Sequence, residues 1–376
     1  MGLRVPLLKP RPDFAGFLDA MDGRRTPARP PLIEYLVDDA LMRPILEKML
    51  MRPWVERAEL GDQTGGQMDF SHDGVAQTQQ WLDNLIAFWL GMGYDFVRVE
   101  ASLALPAAPL LAADAAPGNE SHTRAWQGLH QGPITSRAEF ESYPWPTVRD
   151  SDFFVHEYLD THLPSGMGLL SCHAGGVYEH TSRLMGYEGL CYALEDDLSL
   201  VVDVANRIGA LIEEYNRRLL QFGKLGAILQ GEDLGFNAQT LIPPDAIRRH
   251  FLPWHKKYAA MAHDARRRYY FHSCGQVEAI MEDLIVDVKI DGKHSFQDNV
   301  TPVVEAKRRW GNRIAILGGV DVDKLTRLGL EDLRRHVRGV IDACAPGGRF
   351  AIGSGNSIPS YVPVESYLTM IDEALR

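Results

Sequence analysis

The chain has 376 residues, of which 45% are hydrophobic and 24% are charged, a composition typical of a folded enzyme and not of a disordered protein. Its formal net charge of -11 argues against nucleic acid or an anionic membrane as a partner, because both require a basic surface. The four cysteines are far apart, which indicates reduced cytosolic thiols. No segment approaches the roughly 20 apolar residues that span a bilayer, and Met1 to Pro12 lacks a signal-peptide core, so we expect a cytoplasmic protein.

Apolar runs typical of buried strands alternate with stretches whose apolar residues recur three and four positions apart. The predicted strands are Leu32 to Val37, Phe96 to Glu100, Gly168 to Cys172, Ala227 to Gln230, Tyr269 to His272, Val286 to Asp291, Ile314 to Gly319 and Arg349 to Ile352. The predicted helices include Ala76 to Leu90, Asp197 to Phe222, Pro244 to Ala265, Gln276 to Ile285, Leu330 to Ala345 and Pro363 to Leu375. Eight such units favour an α/β fold of the (β/α)8 TIM barrel type, with an open doubly wound sheet as the alternative. No Gly-x-Gly-x-x-Gly turn follows the first strand, which weakens a dinucleotide-binding version of that alternative.

Two segments depart from this alternation. We expect a single domain over residues 1–376, because α/β barrels longer than about 250 residues are commonly single units. Within it, residues 1–30 form an N-terminal extension that we expect to be helical. Residues 103–150, rich in alanine and proline and then in tryptophan, proline and glycine, are predicted to be a long insertion that lies as a loop over the barrel mouth.

Polar residues follow many of the predicted strands, where barrel active sites are assembled. Any one of them could instead cap the next helix or lie on the surface, but together they favour a site. The catalytic candidates are Glu100, Tyr178, His180, Glu232, Asp233, His294 and Asp321. Of these, His180 could form an acid and base pair with Glu179, and Tyr178 could form part of a pocket wall. The glycine-rich turn after the last strand supplies the cofactor-binding candidates Gly353, Ser354 and Asn356, with a simple turn as the alternative.

The strongest local pattern is His272-Ser273-Cys274, which ends a predicted strand. Imidazole and thiolate are a donor pair suited to zinc, so His272 and Cys274 are candidate metal ligands. A third ligand must come from another strand end, and we expect it to be Glu232 or Asp233 from the preceding one. The alternative is a hydrogen-bonded histidine beside a half-buried thiol.

Three stretches of the chain resemble one known superfamily. They are FHSCGQVEAIMED from Phe271, WGNRIAILGGVDVD from Trp310 and APGGRFAIGSGNSIPSYVP from Ala345. The chain resembles the uroporphyrinogen decarboxylase superfamily, most strongly from about residue 227 onward. This resemblance implies a (β/α)8 barrel that is either a haem-pathway decarboxylase or a zinc methyltransferase that moves methyl groups between corrinoid proteins and other acceptors.

The departures from each branch are informative. In the decarboxylase an arginine-rich run follows Arg-Pro-Pro and holds substrate carboxylates, but here Glu34, Asp38 and Asp39 occupy that region. The decarboxylase's essential aspartate is matched by Glu100. The methyltransferases bind zinc through His-x-Cys, matched by His272 and Cys274, and through a distant cysteine, whose position aligns with Ser354.

The resemblance therefore implies a methyltransferase-like enzyme, and not a true haem-pathway decarboxylase. It would transfer a methyl group between a small methylated compound and a corrinoid (cobalamin) or thiol acceptor, with zinc as a cofactor and a corrinoid protein as a partner. A decarboxylase of uroporphyrinogen or another acid and a non-catalytic barrel that binds a corrinoid or tetrapyrrole are the alternatives. Dimers are common among related barrels, so a homodimer stays open, although no sequence feature marks an interface.

Overall fold

The protein is built around one sheet of seven parallel strands. The computed structural model describes residues 3–56, 69–107, 110–113, 123–126 and 132–376. The sheet strands are β1 (Phe96–Ala101), β4 (Gly168–His173), β5 (Leu225–Gly231), β6 (Arg268–His272), β7 (Gly292–His294), β8 (Ala315–Leu317) and β9 (Phe350–Ala351), while β2 (Leu110–Ala113) and β3 (Thr123–Trp126) form a separate antiparallel pair. The sheet order β1-β4-β5-β6-β7-β8-β9 follows the chain, as repeated βα units predict.

Helices follow most of the sheet strands. They are α1 (Phe14–Met21), α2 (Asp39–Lys48), α3 (His72–Gly91), α4 (Arg137–Ser142), α5 (Phe154–His162), α6 (Val177–Met185), α7 (Tyr187–Asp196), α8 (Leu198–Leu219), α9 (Pro244–Ala246), α10 (Leu252–Asp264), α11 (Glu278–Glu282), α12 (Val303–Trp310), α13 (Val322–Arg327), α14 (Leu330–Cys344) and α15 (Val364–Ala374), with a 3-10 helix at Asp150–Phe153 and π-helices at Ile247–Phe251 and Asp283–Val288. None of the helices in the described ranges is both long enough and apolar enough to cross a membrane.

The longest helix shows why these segments are helical. In α8, Val204, Ile208, Leu211 and Tyr215 recur every three or four residues and are buried. Asp197 caps the first turn by accepting a hydrogen bond from Leu200 N. The predicted helix at 197–222 is confirmed, because its apolar stripe and its cap agree.

The two edges of the sheet curl toward each other. Next to β9, Leu32 and Val37 form isolated parallel bridges with Ile352 and Ile358. From the same segment, the Tyr35 hydroxyl donates to Glu100 Oε2 in β1 at 3.0 Å. The segment at 32–37 therefore lies between the two edges of the sheet, and side chains link it to β1.

The predicted strand at Leu32 to Val37 is wrong as a continuous strand. Its backbone pairs with the segment from Ile352 onward only near its ends. Ile33 N bonds to Ile352 O and Ile352 N to Pro31 O at one end, and Asp38 N bonds to Ile358 O and Ile358 N to Leu36 O at the other. No backbone hydrogen bond joins this segment to β1 within the described residues. The fold is thus α/β with a curled parallel sheet, whereas the predicted eighth strand is reduced to two bridges.

The predicted strand at Val286 to Asp291 is placed too early. The structure has a π-helix at Asp283–Val288 and strand β7 only at Gly292–His294. Leu284 and Val288 are buried within the helical segment, so the apolar run belongs to a helix that packs on the sheet. A short apolar run does not distinguish these two structures by periodicity.

Helix α1 closes the end of the sheet at which the strands begin. A Cβ atom at Gly168 would lie 1.8 Å from the Phe14 ring, and one at Gly226 would lie 2.3 Å from it. These glycines let the phenyl ring pack directly on β4 and β5. The expected helical extension at the N-terminus is therefore present as α1.

The insertion at 103–150 is described only in part. It contains the hairpin of β2 and β3 and the short helix α4. Residues 108–109, 114–122 and 127–131 lie outside the described residues. Its position as a loop over the barrel mouth therefore stays a prediction.

Candidate functional site

Three side chains with metal-binding donors meet at the carboxyl ends of β5 and β6. His272 ends β6, Cys274 follows it, and Asp233 comes just after β5. His272 Nε2 lies 3.4 Å from Cys274 Sγ and 3.7 Å from Asp233 Oδ1, and all three donor atoms lie within 4.8 Å of one another. We call Asp233, His272 and Cys274 the donor triad.

The donor triad fits a transition metal such as zinc. Nitrogen, sulfur and carboxylate oxygen are all common zinc ligands, and three protein ligands leave a fourth position for a substrate. The Asp233 side chain is 43% exposed and that of His272 is 6% exposed, so the triad joins a buried imidazole to an accessible carboxylate. Cys274 is half-buried between them.

Two aromatic groups hold the imidazole of His272. Its Nδ1 is hydrogen-bonded to Nδ1 of His294 at 2.7 Å, and its ring stacks on Tyr35 with 3.9 Å between the centroids. Burial lowers the pKa of His272 well below its ordinary value and that of His294 to about 3, so both rings are neutral at pH 7. Because Nδ1 is hydrogen-bonded to His294, Nε2 is the nitrogen of His272 that faces Asp233 and Cys274.

The thiol of Cys274 is held in a protonated state in the metal-free protein. Burial is the main cause that raises the pKa of this thiol, and the negative charge of Asp233 raises it further. Asn356 Nδ2 donates a hydrogen bond to Cys274 Sγ at 3.2 Å, and this bond lowers the pKa of the thiol. Asp233 Oδ1 also accepts the backbone N–H of Cys274 at 2.9 Å, which fixes the carboxylate beside the thiol.

A second cluster lies next to the donor triad and is centred on Glu100. Its Oε2 accepts hydrogen bonds from the Tyr35 hydroxyl at 3.0 Å and from Arg98 at 2.8 Å. The Arg98 guanidinium is fully buried and lies 4.7 Å from the centroid of the Tyr35 ring. Because Tyr35 touches both His272 and Glu100, the predicted catalytic residue Glu100 and the donor triad belong to one site.

Glu232 does not join the donor triad, although the sequence predicted it as a catalytic and metal-binding residue. It is fully buried, and its carboxylate accepts the backbone N–H groups of Tyr178 and Glu179 at the start of α6. Its Oε2 also lies 2.7 Å from His255 Nε2. The adjacent Asp233 is the carboxylate that the structure places beside His272.

Three other predicted catalytic residues have structural partners away from the donor triad. The buried ring of His180 is bonded to the Ala174 carbonyl at 2.9 Å, and Tyr178 packs edge-on against Phe251. Asp321 accepts the backbone N–H of Asp323 at 2.7 Å and so caps α13. For Asp321 the structure agrees with the helix-capping alternative.

The predicted cofactor turn is packed against the segment at 32–37. A Cβ atom at Gly353 would lie 1.7 Å from the Ile33 carbonyl oxygen, so only glycine permits this approach. Ser354 N donates to Glu34 Oε1 at 2.8 Å, and Ser354 Oγ contacts Glu34 Oε2. Of the three predicted residues, Asn356 is the one that reaches the donor triad.

Sequence reasoning did not select Tyr35 or Arg98, and it noted Glu34 only as an acid in the region where the decarboxylase has arginines. Arg98 lies two positions before Glu100 in β1, and residues two apart in a strand face the same side. That alternation could have identified Arg98. Tyr35 and Glu34 could not be found in this way, because they lie in a segment with only two bridges.

The fold and the donor triad together define an α/β protein with an enzyme-like site at the carboxyl ends of its parallel strands. A family model described as uroporphyrinogen decarboxylase (URO-D) matches residues 170–376, more than half of the chain. The chain belongs to the uroporphyrinogen decarboxylase family. No curated protein matches the chain.

Solved structures with a similar fold include two kinds of methyl-transfer enzyme. A methyltransferase from Methanosarcina mazei has a TM-score of 0.66 at 12% identity, covering 97% of this chain and 98% of that one. A B12-independent methionine synthase from Shewanella sp. W3-18-1 has a TM-score of 0.53 at 10% identity, covering 92% and 96%. A putative vitamin-B12 independent methionine synthase from Listeria monocytogenes has a TM-score of 0.52 at 10% identity, covering 93% and 96%. At these identities the likeness shows a shared fold.

Proposed function

We propose that the protein is a metal-assisted methyltransferase that moves a methyl group between a small methylated compound and a corrinoid or thiol acceptor. The observation that carries this proposal is the donor triad, in which imidazole, thiol and carboxylate lie within 4.8 Å at the carboxyl ends of β5 and β6. Its support is the family membership together with the fold shared with methyl-transfer enzymes.

Asp233, His272 and Cys274 would hold the metal, for which zinc is the proposed ion. When bound, zinc lowers the pKa of a thiol, alcohol or water and acts as a Lewis acid. His272 is neutral, and in the tautomer whose Nδ1–H donates to His294 its Nε2 has a free lone pair for the metal. Asp233 supplies negative charge in place of the distant family cysteine, whose position is occupied by Ser354.

Glu100 is the proposed proton-transfer group of the site. Tyr35 and Arg98 hold its Oε2, and no described residue bonds to its Oε1. The side chain is 16% exposed, so Oε1 is the oxygen that would exchange a proton with a substrate. The buried Arg98 guanidinium forms an ion pair with Glu100 and offsets the charge of its carboxylate.

Carboxylates at the site weigh against a porphyrinogen as the substrate. Glu100 and Asp233 are each partly exposed there, whereas the guanidinium of Arg98 is buried and already paired with Glu100. A substrate that carries many carboxylates would be repelled unless cations clamped it. We therefore favour a neutral or singly charged methylated compound over uroporphyrinogen.

The first test is elemental metal analysis of untagged protein and of three single variants. We expect near-stoichiometric zinc in the wild type and its loss in Asp233→Ala, His272→Ala and Cys274→Ala. Cys191→Ser is the matched control, because Cys191 is also a half-buried free thiol but lies in α7. Absence of metal from the wild type after incubation with zinc would refute the metal-assisted mechanism.

The second test follows methyl transfer itself. Methylcobalamin and a small thiol are mixed with the zinc-loaded protein, and the visible spectrum of the corrinoid reports loss of its methyl group. We expect demethylation to depend on the donor triad and to fall in Glu100→Gln, which keeps its zinc. A non-catalytic barrel would bind the corrinoid without this spectral change.

A further inference from the structure

Glu34 is a carboxyl group buried at the edge of the site, in the segment between the two isolated bridges. Its two oxygens contact Ser354, one through the backbone N–H and one through Oγ. None of the described residues forms an ion pair with it. The phenols of Tyr94 and Tyr367 lie near it and are bonded to each other at 3.0 Å, so neither brings a positive charge.

The hydrogen bonds around Ser354 determine which group carries a proton. Ser354 is fully buried, and its Oγ contacts both Glu34 Oε2 and the backbone carbonyl of Asn356. A hydroxyl has one hydrogen to donate, and a carbonyl donates none. Both contacts are hydrogen bonds only if Glu34 is protonated, so that Oε2–H donates to Oγ and Oγ–H donates to Asn356 O.

Asn356 links the hydrogen bonds between Glu34 and Ser354 to Cys274 in the donor triad. Its backbone carbonyl is held by Ser354, and its Oδ1 accepts the backbone N–H of Ser357 at 2.7 Å. Its Nδ2 is therefore turned toward Cys274 Sγ, to which it donates at 3.2 Å. A hydrogen bond to sulfur stabilises the thiolate, which is the form that binds a metal.

We propose that Glu34 is a neutral carboxylic acid that acts as a positioning residue, holding Ser354 and Asn356 so that the Asn356 amide donates to Cys274. Burial raises the pKa of Glu34 to about 8, in agreement with the hydrogen count. The protonation of Glu34 does not depend on the proposed function. Its consequence for Cys274 deepens that function, because it concerns one of the proposed metal ligands.

The protonation is tested by infrared difference spectroscopy on metal-free protein near pH 6. We expect a carbonyl stretch of a protonated carboxylic acid that shifts in D2O and is absent from Glu34→Gln. The same band should move in Ser354→Ala, because its hydrogen-bond acceptor is removed. If neither variant changes a band in that region, Glu34 is ionised and the proposal fails.

The positioning role is tested by the alkylation rate of Cys274 with iodoacetamide, measured against pH in a Cys191→Ser background. Glutamine reproduces the donor and acceptor of a protonated acid, so Glu34→Gln should stay within about twofold of the parent rate. Ser354→Ala and Glu34→Ala should react about tenfold more slowly below the thiol pKa, because the thiolate loses a stabilising hydrogen bond.

Thermal melts identify any variant that fails to fold, and Ser354→Ala keeps the test decisive if Glu34→Ala does fail. Equal alkylation rates in Ser354→Ala and the parent would overturn the positioning role, as would a Glu34→Gln rate as slow as that of Ser354→Ala. Both measurements use metal-free protein. A failure of zinc binding would therefore refute the proposed function and leave these outcomes unaffected.

Discussion

His294 is hydrogen-bonded to Nδ1 of His272, which leaves Nε2 of His272 as the free nitrogen. The two Nδ1 atoms lie 2.7 Å apart, and the His272 ring is also stacked on Tyr35. Loss of a group that orients a metal-binding histidine typically lowers metal affinity by about 10- to 100-fold. The contact gives His294 a positioning role toward His272, and its catalytic role stays a prediction.

Replacement of His294 by alanine should weaken zinc binding by about 10- to 100-fold, because His272 loses the partner of its Nδ1. Competition with a chromophoric chelator measures the affinity on metal-free protein. The exposed His72→Ala variant is the control and should bind zinc as the wild type does. Unchanged affinity in His294→Ala would mean that the Tyr35 stack alone orients the imidazole.

Replacement of Glu232 tests whether this residue has a structural role or binds the metal. Its buried carboxylate joins the start of α6 to His255 in α10. Glu232→Ala should lower the free energy of unfolding by about 3 to 5 kcal/mol, because it leaves buried groups without a partner. Urea unfolding measures this loss, with the exposed Glu141→Ala variant as the control. If a folded Glu232→Ala protein loses its zinc, the prediction that Glu232 is a metal ligand is correct after all.

At the scale of elements, the site depends on how the segment at 32–37 packs against the turn after β9. That segment supplies Glu34 and Tyr35, and its Ile33 carbonyl lies against Gly353. The isolated bridges at its two ends leave Glu34 and Tyr35 free of strand pairing. Loss of a continuous strand is therefore what allows both side chains to enter the site.

Gly353→Ala should destabilise the protein by about 1 to 3 kcal/mol, because the added methyl group meets the Ile33 carbonyl oxygen. Gly339→Ala is the matched control, since Gly339 is exposed in α14 and nothing lies within 4 Å of the added atom. We expect that control to be neutral or stabilising by up to about 1 kcal/mol. Chemical denaturation measures both, and equal effects would show that residue 353 is not tightly packed.

At the scale of the whole molecule, buried titratable groups set the pH dependence of stability. Burial lowers the pKa of seven histidines, to about 3 in His156 and to about 4 in His173; the others are His180, His250, His272, His294 and His336. The unfolded chain takes up these protons below about pH 6.5, whereas the folded chain resists them. Stability is therefore lost as the pH falls from 6.5 toward the folded pKa values.

Four carboxyls, Glu34, Asp95, Glu179 and Asp298, act in the opposite direction, and the shift is large in Glu34 and Glu179. Burial raises the pKa of Glu34 to about 8 and also raises that of Glu179, above an ordinary value of 4.5. Their contribution is complete below pH 4.5 and is lost as the pH rises through the folded values. Since seven histidines outnumber four carboxyls on the acidic side, we expect maximal stability near pH 6.5.

Urea unfolding of the wild type at about pH 5, 6.5 and 8 measures this maximum, with each titrating group contributing about 1.4 kcal/mol per pH unit. The fall toward pH 8 should be smaller in Glu34→Gln, which cannot ionise. Stability that rises steadily to pH 8 would contradict the raised pKa values of Glu34 and Glu179. The exposed Glu141→Gln variant serves as the control and should follow the wild type.

The sequence by itself determined the repeating βα order, the positions of the long helices to within a few residues and the His272-Ser273-Cys274 pattern. These are local properties, since periodicity and caps act over a few residues and a strand end places adjacent side chains at one edge. The two errors in the predicted strands, at 32–37 and 286–291, occurred in short apolar runs. Their partners lie far along the chain, and periodicity carries no information about them.

Tertiary structure alone decided which side chains meet. It placed Asp233 rather than Glu232 beside His272, because the start of α6 provides backbone donors that hold the Glu232 carboxylate. It also brought Glu34 to Ser354, which is 320 positions away in the chain. Contacts of this kind arise when the sheet curls and its edges approach, and no local pattern in the sequence encodes that distance.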